Sequence, residues 1–378
     1  MERESYFRMN RRILNVVGAR PNFIKIAPIH RRMQAVQGLE PLLIHTGQHY
    51  DEKMSKTFFI DLEMPEPDIY LGVGSGSHAV QTGAILVEME KICIEYKPDL
   101  IVVVGDVNST LAAALAAVKL NIPVAHVEAG LRSFDRTMPE EINRLMTDAV
   151  CEMLFVTEQS GIDNLKHEGV DPAKIFFTGN VMIDSLVANL EKTADLNAYE
   201  PFNMKAGEYA LMTMHRPSNV DNRDTLTCIL SALEEIQKET PILFPIHPRT
   251  RKMISRFGMD ERVKRMCNLT LTPPLGYLSF LNLMANARLL ITDSGGIQEE
   301  TTFLQIPCIT LRENTERPVT IDLGTNTLVG MNPEQILQSY REAMNGSRRQ
   351  SRIPPLWDGK AAERIVEIIC QRNSNRNR

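Results

Sequence analysis

Eleven short apolar runs, each followed by a helix-compatible stretch, recur along the 378 residues and restrict this chain to a parallel α/β fold. ILNVVG (13–18), PLLIHTG (41–47), DLIVVVGD (99–106), IPVAHVEAG (122–130), MLFVT (153–157) and IFFTGN (175–180) occupy the first half. YALMTMH (209–215), PILFPIHPRT (241–250), LTLTP (269–273), LLITDSGG (289–296) and PCITLR (307–312) occupy the second. A chain this long exceeds one ordinary core. The pattern breaks near 183–208, where the sequence turns polar, and a single eight-stranded barrel would need a more even repeat. Two doubly wound domains are therefore expected, 1–183 and 184–358, followed by a C-terminal helix and polar tail over 359–378.

Bulk chemistry narrows the partners. Hydrophobic content of 43%, charged content of 24% and a net charge of -5 describe a globular enzyme without a polyanion-binding field, so nucleic acid is not expected as a partner. No apolar run approaches the roughly 18 residues that span a bilayer. The opening MERESYFRMNRR lacks the apolar centre of a signal peptide, so a cytoplasmic protein with no membrane partner is expected. Six cysteines are scattered without a close pair and read as small buried apolar residues.

The polar residues fall in register with the strands. Arg20, Asp106, Glu128, His215, His247, Asp293 and Arg312 stand at or just past the C-terminal end of an apolar run, the edge at which open α/β sheets bind ligands. In LLITDSGGIQEE, Ser294, Gly295 and Gly296 open a helix, where free N–H groups and the positive dipole end attract an anion. A simple cap by Ser294 is the alternative. Arg20 and Lys25, in GARPNFIKIAP, place one cation before a helix and one a turn inside it, which suits a diphosphate or a carboxylate.

In GDVNST, Asp106 either caps the next helix or works as a carboxylate. HVEAGLRS sets His126 and Glu128 two residues apart, on one face of a strand. Glu140 and Glu141 begin a helix, where acidic residues are favoured in any case. MHRPSN and IHPRT put His215 and His247 at equivalent strand ends, with His215 suited to act as a general acid or phosphate donor. A P-loop, an HExxH helix and the PCxxC of a zinc deaminase are absent, and GVGSGS (72–77) is not GxGxxG. Neither a metal site nor a redox cofactor is expected.

Taken in order, GARPNFIKIAP, GDVNST, HVEAGLRS, PEEINR, TGN (178–180), MHRPSN, TDSGGIQEE and RENTERP (312–318) resemble the non-hydrolysing UDP-N-acetylglucosamine 2-epimerases over residues 11–345. That resemblance implies two facing Rossmann-like domains of glycosyltransferase-B architecture, a C-terminal helix within 357–370 crossing back to the first domain, and a homodimer. It implies a UDP-sugar substrate, with Ser294, Gly295 and Gly296 cradling the diphosphate and Glu300 taking the ribose hydroxyls. Arg20, Lys25, His215, Phe280 and Arg317 would make the remaining uridine and diphosphate contacts, and Asp106, Glu128 and Glu140 would be the catalytic carboxylates, with His215 as a further catalytic group. The implied chemistry is anti elimination of UDP to a glycal and re-addition on the other face, which needs no cofactor. A hydrolysing epimerase that releases free N-acetylmannosamine is a competing activity.

One segment departs from the commonest bacterial pattern, TAQHR, which forms an activating second substrate site. TGQHYDEKMSKTFF (46–59) keeps Gln48 and His49 but has Tyr50 in place of the arginine, so substrate activation is not expected. Similar segments occur in relatives acting on UDP-2,3-diacetamido-glucuronate, which leaves the sugar open, with Arg132 or Arg249 as candidate contacts for a glucuronate carboxylate.

Overall fold

The strand run LIVVV (100–104) is apolar at every position and wholly buried, as expected of a central parallel strand covered by helices on both faces. It belongs to the first of two units in a computed structural model, which describes residues 10–47, 65–346 and 350–374. That unit comprises Met1–Ser185 and Leu356–Arg378, and the second comprises Leu186–Pro355.

Seven parallel strands build the first unit: β1 (Arg11–Val17), β2 (Leu39–His45), β3 (Ile69–Tyr70), β4 (Leu100–Val104), β5 (Val124–Val127), β6 (Met153–Val156) and β7 (Ile175–Phe177). Their order is β3-β2-β1-β4-β5-β6-β7, with Val16 of β1 beside Val103 of β4. The helix Asn108–Lys119 is buried almost all round, and its alanines 112, 113, 114, 116 and 117 let it lie close to the sheet and to the helices His78–Tyr96 and Pro139–Val150.

The second unit repeats the winding with six strands: β8 (Ala210–Thr213), β9 (Ile242–Pro245), β10 (Leu269–Thr272), β11 (Leu289–Thr292), β12 (Cys308–Thr310) and β13 (Asn326–Leu328). The order is β10-β9-β8-β11-β12-β13, and Thr213 pairs with Thr292. Each chain segment thus winds outward from its first strand, returns, and winds the other way. The reversal leaves a crevice between β1 and β4 in one unit and between β8 and β11 in the other.

Two edge strands escape the sequence pattern: β3 has only two residues, and β13 (NTL) is mostly polar, unlike the equally short β7 (IFF). The division between units also falls a few residues from 184 and 358. Asp184 accepts the N-terminal amides of the last helix, Ala362 N to Oδ1 at 2.7 Å and Ala361 N to Oδ2 at 3.1 Å, and the buried Trp357 indole donates to the Thr157 carbonyl at 3.0 Å. Those bonds keep Asp184 and Trp357 with the first unit, where the helix Ala361–Ser374 packs against Arg20–Gln34. The cysteines divide too: Cys93, Cys151 and Cys308 are buried, whereas Cys267 is exposed in the turn leading into β10.

Candidate active site

In the first unit the crevice is built by the turns after β1, β4 and β5. The Val104 carbonyl at the end of β4 accepts from Asn22 Nδ2 at 2.8 Å and Thr110 Oγ1 at 2.9 Å, which fastens the helices Arg20–Gln34 and Asn108–Lys119 to one point. Gly105 follows in the left-handed region, at φ +69°. A Cβ there would stand 3.3 Å from Asn22 Nδ2 and 3.5 Å from Lys25 Nζ, so a bare glycine makes room for the lysine.

Lys25, expected on a diphosphate, is buried and ion-paired with Glu128: Nζ lies 2.5 Å from Oε2. Glu128 does not share a strand face with His126. β5 ends at Val127, and Glu128 takes a φ of 72°, a costly conformation for a side chain of this size, so its direction is not given by strand alternation. Its second oxygen, Oε1, is buried without a hydrogen-bond partner among the described residues.

Asp106 is not a helix cap. Val107 occupies the cap position of the next helix, and Asp106 Oδ2 instead accepts from Arg144 Nη1 at 2.5 Å. Arg144 also donates to Glu141 Oε2 from Nη2 at 2.6 Å and Nε at 3.0 Å. Burial would raise the Glu141 carboxyl, but the Ser133 amide and Arg144 outweigh it and hold it below the usual carboxylate range. Glu141 is thus a structural anchor for the Ser133–Phe134 turn, and Glu140, half-buried on the first turn of the same helix, is the member of the pair left to face outward. Arg144 was not singled out in the sequence. Its place one turn beyond Glu140 and Glu141 was the available signal.

Arg132 cannot serve a substrate carboxylate. It is buried, donates to Glu168 at 2.8 and 2.7 Å, and pairs with Asp148 at 2.7 Å. Arg249 is exposed and paired with Asp221. Gln48, His49 and the Arg20 side chain lie outside the described residues.

The second unit places the other residues around β8 and β11. Asp293, fully buried, accepts from the backbone N–H of His215 at 2.9 Å and Arg216 at 2.8 Å and from Asn219 Nδ2 at 3.1 Å, and pairs with His215 Nδ1 at 3.0 Å. Burial pushes its carboxyl up, but these donors prevail and lower it. His215 remains half-exposed, and its ring centroid lies 5.7 Å from that of His247. His247 itself caps the helix Pro248–Arg256 by accepting the Arg249 amide.

Ser294 stands at the cap position of the helix Gly295–Leu304, yet its side chain makes no cap hydrogen bond. Arg317 lies against this first turn, since a Cβ on Gly295 would come within 2.8 Å of its Nη1. A guanidinium beside the positive end of a helix repels it unless an anion intervenes. Glu299, 2.8 Å from Arg317 Nε, and Glu316, 3.4 Å from Nη1, hold the cation there. Phe280 is half-buried on the helix Tyr277–Ala285, and Glu300 is buried.

Burial and the neighbouring Glu299 charge push Glu300 up to about 8, from an ordinary 4.5. The folded unit without ligand therefore keeps the Glu300 proton at neutral pH, whereas the unfolded chain releases it. Stability from this group is present in full below about pH 4.5 and declines as pH rises to about 8. The difference in thermal midpoint between parent and Glu300→Gln is expected to change over that window and to be level above it. Midpoints measured at pH 5, 6.5 and 8.5 that run parallel would refute the assignment.

Among the described residues, no group of three or more His, Cys, Asp or Glu could hold a metal, and no helix is long and apolar enough to cross a membrane.

Two Rossmann-like units, each with its polar residues at the reversal of strand order, define an α/β enzyme of the glycosyltransferase-B class. Residues 31–370 match the family described as UDP-N-acetylglucosamine 2-epimerase, and the chain belongs to that family. A UDP-N-acetylglucosamine 2-epimerase of Methanocaldococcus jannaschii is 45% identical over 359 residues, 94% of this chain and 97% of its own length. The UDP-2,3-diacetamido-2,3-dideoxy-D-glucuronate 2-epimerase of Pseudomonas aeruginosa is 41% identical over 364 residues, 95% and 99% of the two chains. Among solved structures, the M. jannaschii enzyme in complex with UDP-GlcNAc and UDP matches with a TM-score of 0.88 at 44% identity, covering 95% of this chain and 99% of its own.

Proposed function

We propose that this enzyme interconverts UDP-N-acetylglucosamine and UDP-N-acetylmannosamine by inverting sugar carbon 2, without hydrolysis. The proton on that carbon is weakly acidic, and no side chain removes it readily unless the bond to the anomeric oxygen breaks as well. In the anti elimination, a carboxylate takes the proton, the C–H electron pair forms the double bond of a glycal, and the anomeric C–O pair departs with UDP. Re-addition of UDP to carbon 1, with protonation of carbon 2 from the opposite face, gives the other epimer.

The observation that carries this reading is Glu128: a buried carboxylate with one oxygen held by Lys25 at 2.5 Å and the other without a partner among the described residues. Leaving a buried acceptor unsatisfied costs about 1–3 kcal/mol. An oriented base with one lone pair in reserve is what proton abstraction needs. Asp106, held by Arg144, and Glu140 are the remaining candidates for the acid and base on the two faces. His215 and the N-terminus Ser294-Gly295-Gly296 beside Arg317 would receive the negative charge of the departing diphosphate. Glu300 and Phe280 would bind the ribose and uracil of the same nucleotide.

The 41% identity to the P. aeruginosa enzyme favours a second reading, the same chemistry on UDP-2,3-diacetamido-glucuronate. Against it, Arg132 is saturated by Glu168 and Asp148. The two substrates are separated by comparing kcat/KM for each, with proton NMR of the products. UDP-N-acetylglucosamine is expected to be preferred by at least tenfold and to yield UDP-N-acetylmannosamine. A reversed preference would move the assignment to the glucuronate, and stoichiometric free UDP would sink both.

A further inference from the structure

The turns that carry Asp106 and Glu128 leave different strands, yet one buried pair ties them together. His126 lies in β5, with no exposed surface. Its Nε2 is 2.8 Å from the Gly105 carbonyl and its Nδ1 is 2.6 Å from Asp148 Oδ1. Both ring nitrogens therefore face acceptors. A carbonyl oxygen can only accept, so Nε2 carries a proton. The Asp148 carboxylate is already filled with donors on its other oxygen, Gly130 N at 3.0 Å and Arg132 Nη2 at 2.7 Å, so Nδ1 is required to donate as well.

Asp148 comes from the helix Pro139–Val150, Arg132 from the turn after β5, and Glu168 from the end of the helix Gln159–His167. Arg132 thus stands between the Asp148 and Glu168 carboxylates. Burial would raise Asp148, but His126, Arg132 and the Gly130 amide hold it below the usual range, while the same burial and the Asp148 charge push the neighbouring Cys151 thiol well up.

What this pair holds is the catalytic edge. Gly105, clamped at its carbonyl by His126, is also bound at its amide, which donates to the Val127 carbonyl at 3.1 Å. Asp106 is the next residue. Glu128 Oε2 would lie 3.7 Å from a Cβ on Gly105, and Gly130, whose amide Asp148 fixes, is two residues beyond Glu128. We propose that His126, anchored by Asp148, is a positioning residue for the epimerisation: its Nε2–H bond to the Gly105 carbonyl sets the relative placement of Asp106 and Glu128. This inference rests on the function proposed above.

Two measurements on the full chain test it. In protein labelled with 15N at histidine, the ring assigned by comparison with His126→Gln is expected to carry a proton on Nε2, hydrogen-bonded to the Gly105 carbonyl. A ring without a proton on Nε2 would overturn the inference without reference to activity. His126→Phe is expected to lower kcat about ten- to a hundredfold with KM and UDP affinity within twofold, and His126→Gln, which retains an N–H donor, to recover part of that loss. Variants that keep kcat within twofold of the parent, or that lose UDP affinity in proportion to kcat, would also overturn it. Failure of the proposed function shows separately, as a parent enzyme that forms no epimer.

Discussion

Glu128→Gln is expected to lower kcat at least a hundredfold while leaving UDP affinity within about twofold. The amide matches the carboxylate in shape but cannot take a proton, and a hundredfold loss is about 2.7 kcal/mol of transition-state stabilisation. The substitution also strands Lys25, a buried cation whose ion-pair partner is Glu128. Breaking such a pair by removing one member costs about 3–5 kcal/mol, so the thermal midpoint should fall as well. Adding Lys25→Met removes the stranded charge and is expected to restore stability without restoring turnover. Isothermal titration with UDP, denaturation and initial rates separate the effects. A single variant that keeps more than a tenth of the parent rate would return Glu128 to a structural role.

Asp293→Ala should be strongly destabilising. Asp293 is fully buried and accepts from two backbone amides and the Asn219 side chain, besides pairing with His215. Truncation leaves the His215 and Arg216 amides without a partner, at about 1–3 kcal/mol each, and Asn219 Nδ2 with the Leu311 carbonyl alone, so a total near 3–5 kcal/mol is expected. It also frees the His215 ring, so UDP affinity and turnover should both fall, unlike the split expected for Glu128. Urea denaturation gives the first quantity and calorimetry the second. A loss below 1 kcal/mol would show that the four contacts do not act together.

Much of this architecture was legible because a parallel strand buried on both faces leaves a continuous apolar run, as in LIVVV (100–104), and because its ligand-facing edge is punctuated by glycine and charge. Edge strand β3 is too short to leave such a run, and β13 (NTL) is too polar. The candidate residues stood out at the strand ends, but their contacts did not. Glu128 was visible beside a strand, but its positive φ made the strand-face argument wrong. Glu140 and Glu141 look alike in sequence. Only the fold shows that Glu141 is consumed by Ser133, Phe134 and Arg144. Arg144 and Asp148 reach residues 38 and 22 positions away, Asp106 and His126, and such pairings have no sequence period. Arg132 had the right charge for a sugar carboxylate and proved to be buried between two carboxylates.

In the proposed reaction, carbon 2 of the sugar is deprotonated and reprotonated while the nucleotide leaves and returns. Incubating the enzyme with UDP-N-acetylglucosamine in deuterium oxide and following carbon 2 by proton NMR tests this directly. UDP-N-acetylmannosamine carrying solvent deuterium at carbon 2 is expected, with no stoichiometric release of UDP. Epimer formed with its original proton at carbon 2, or a UDP-sugar that is bound and never exchanges, would contradict it.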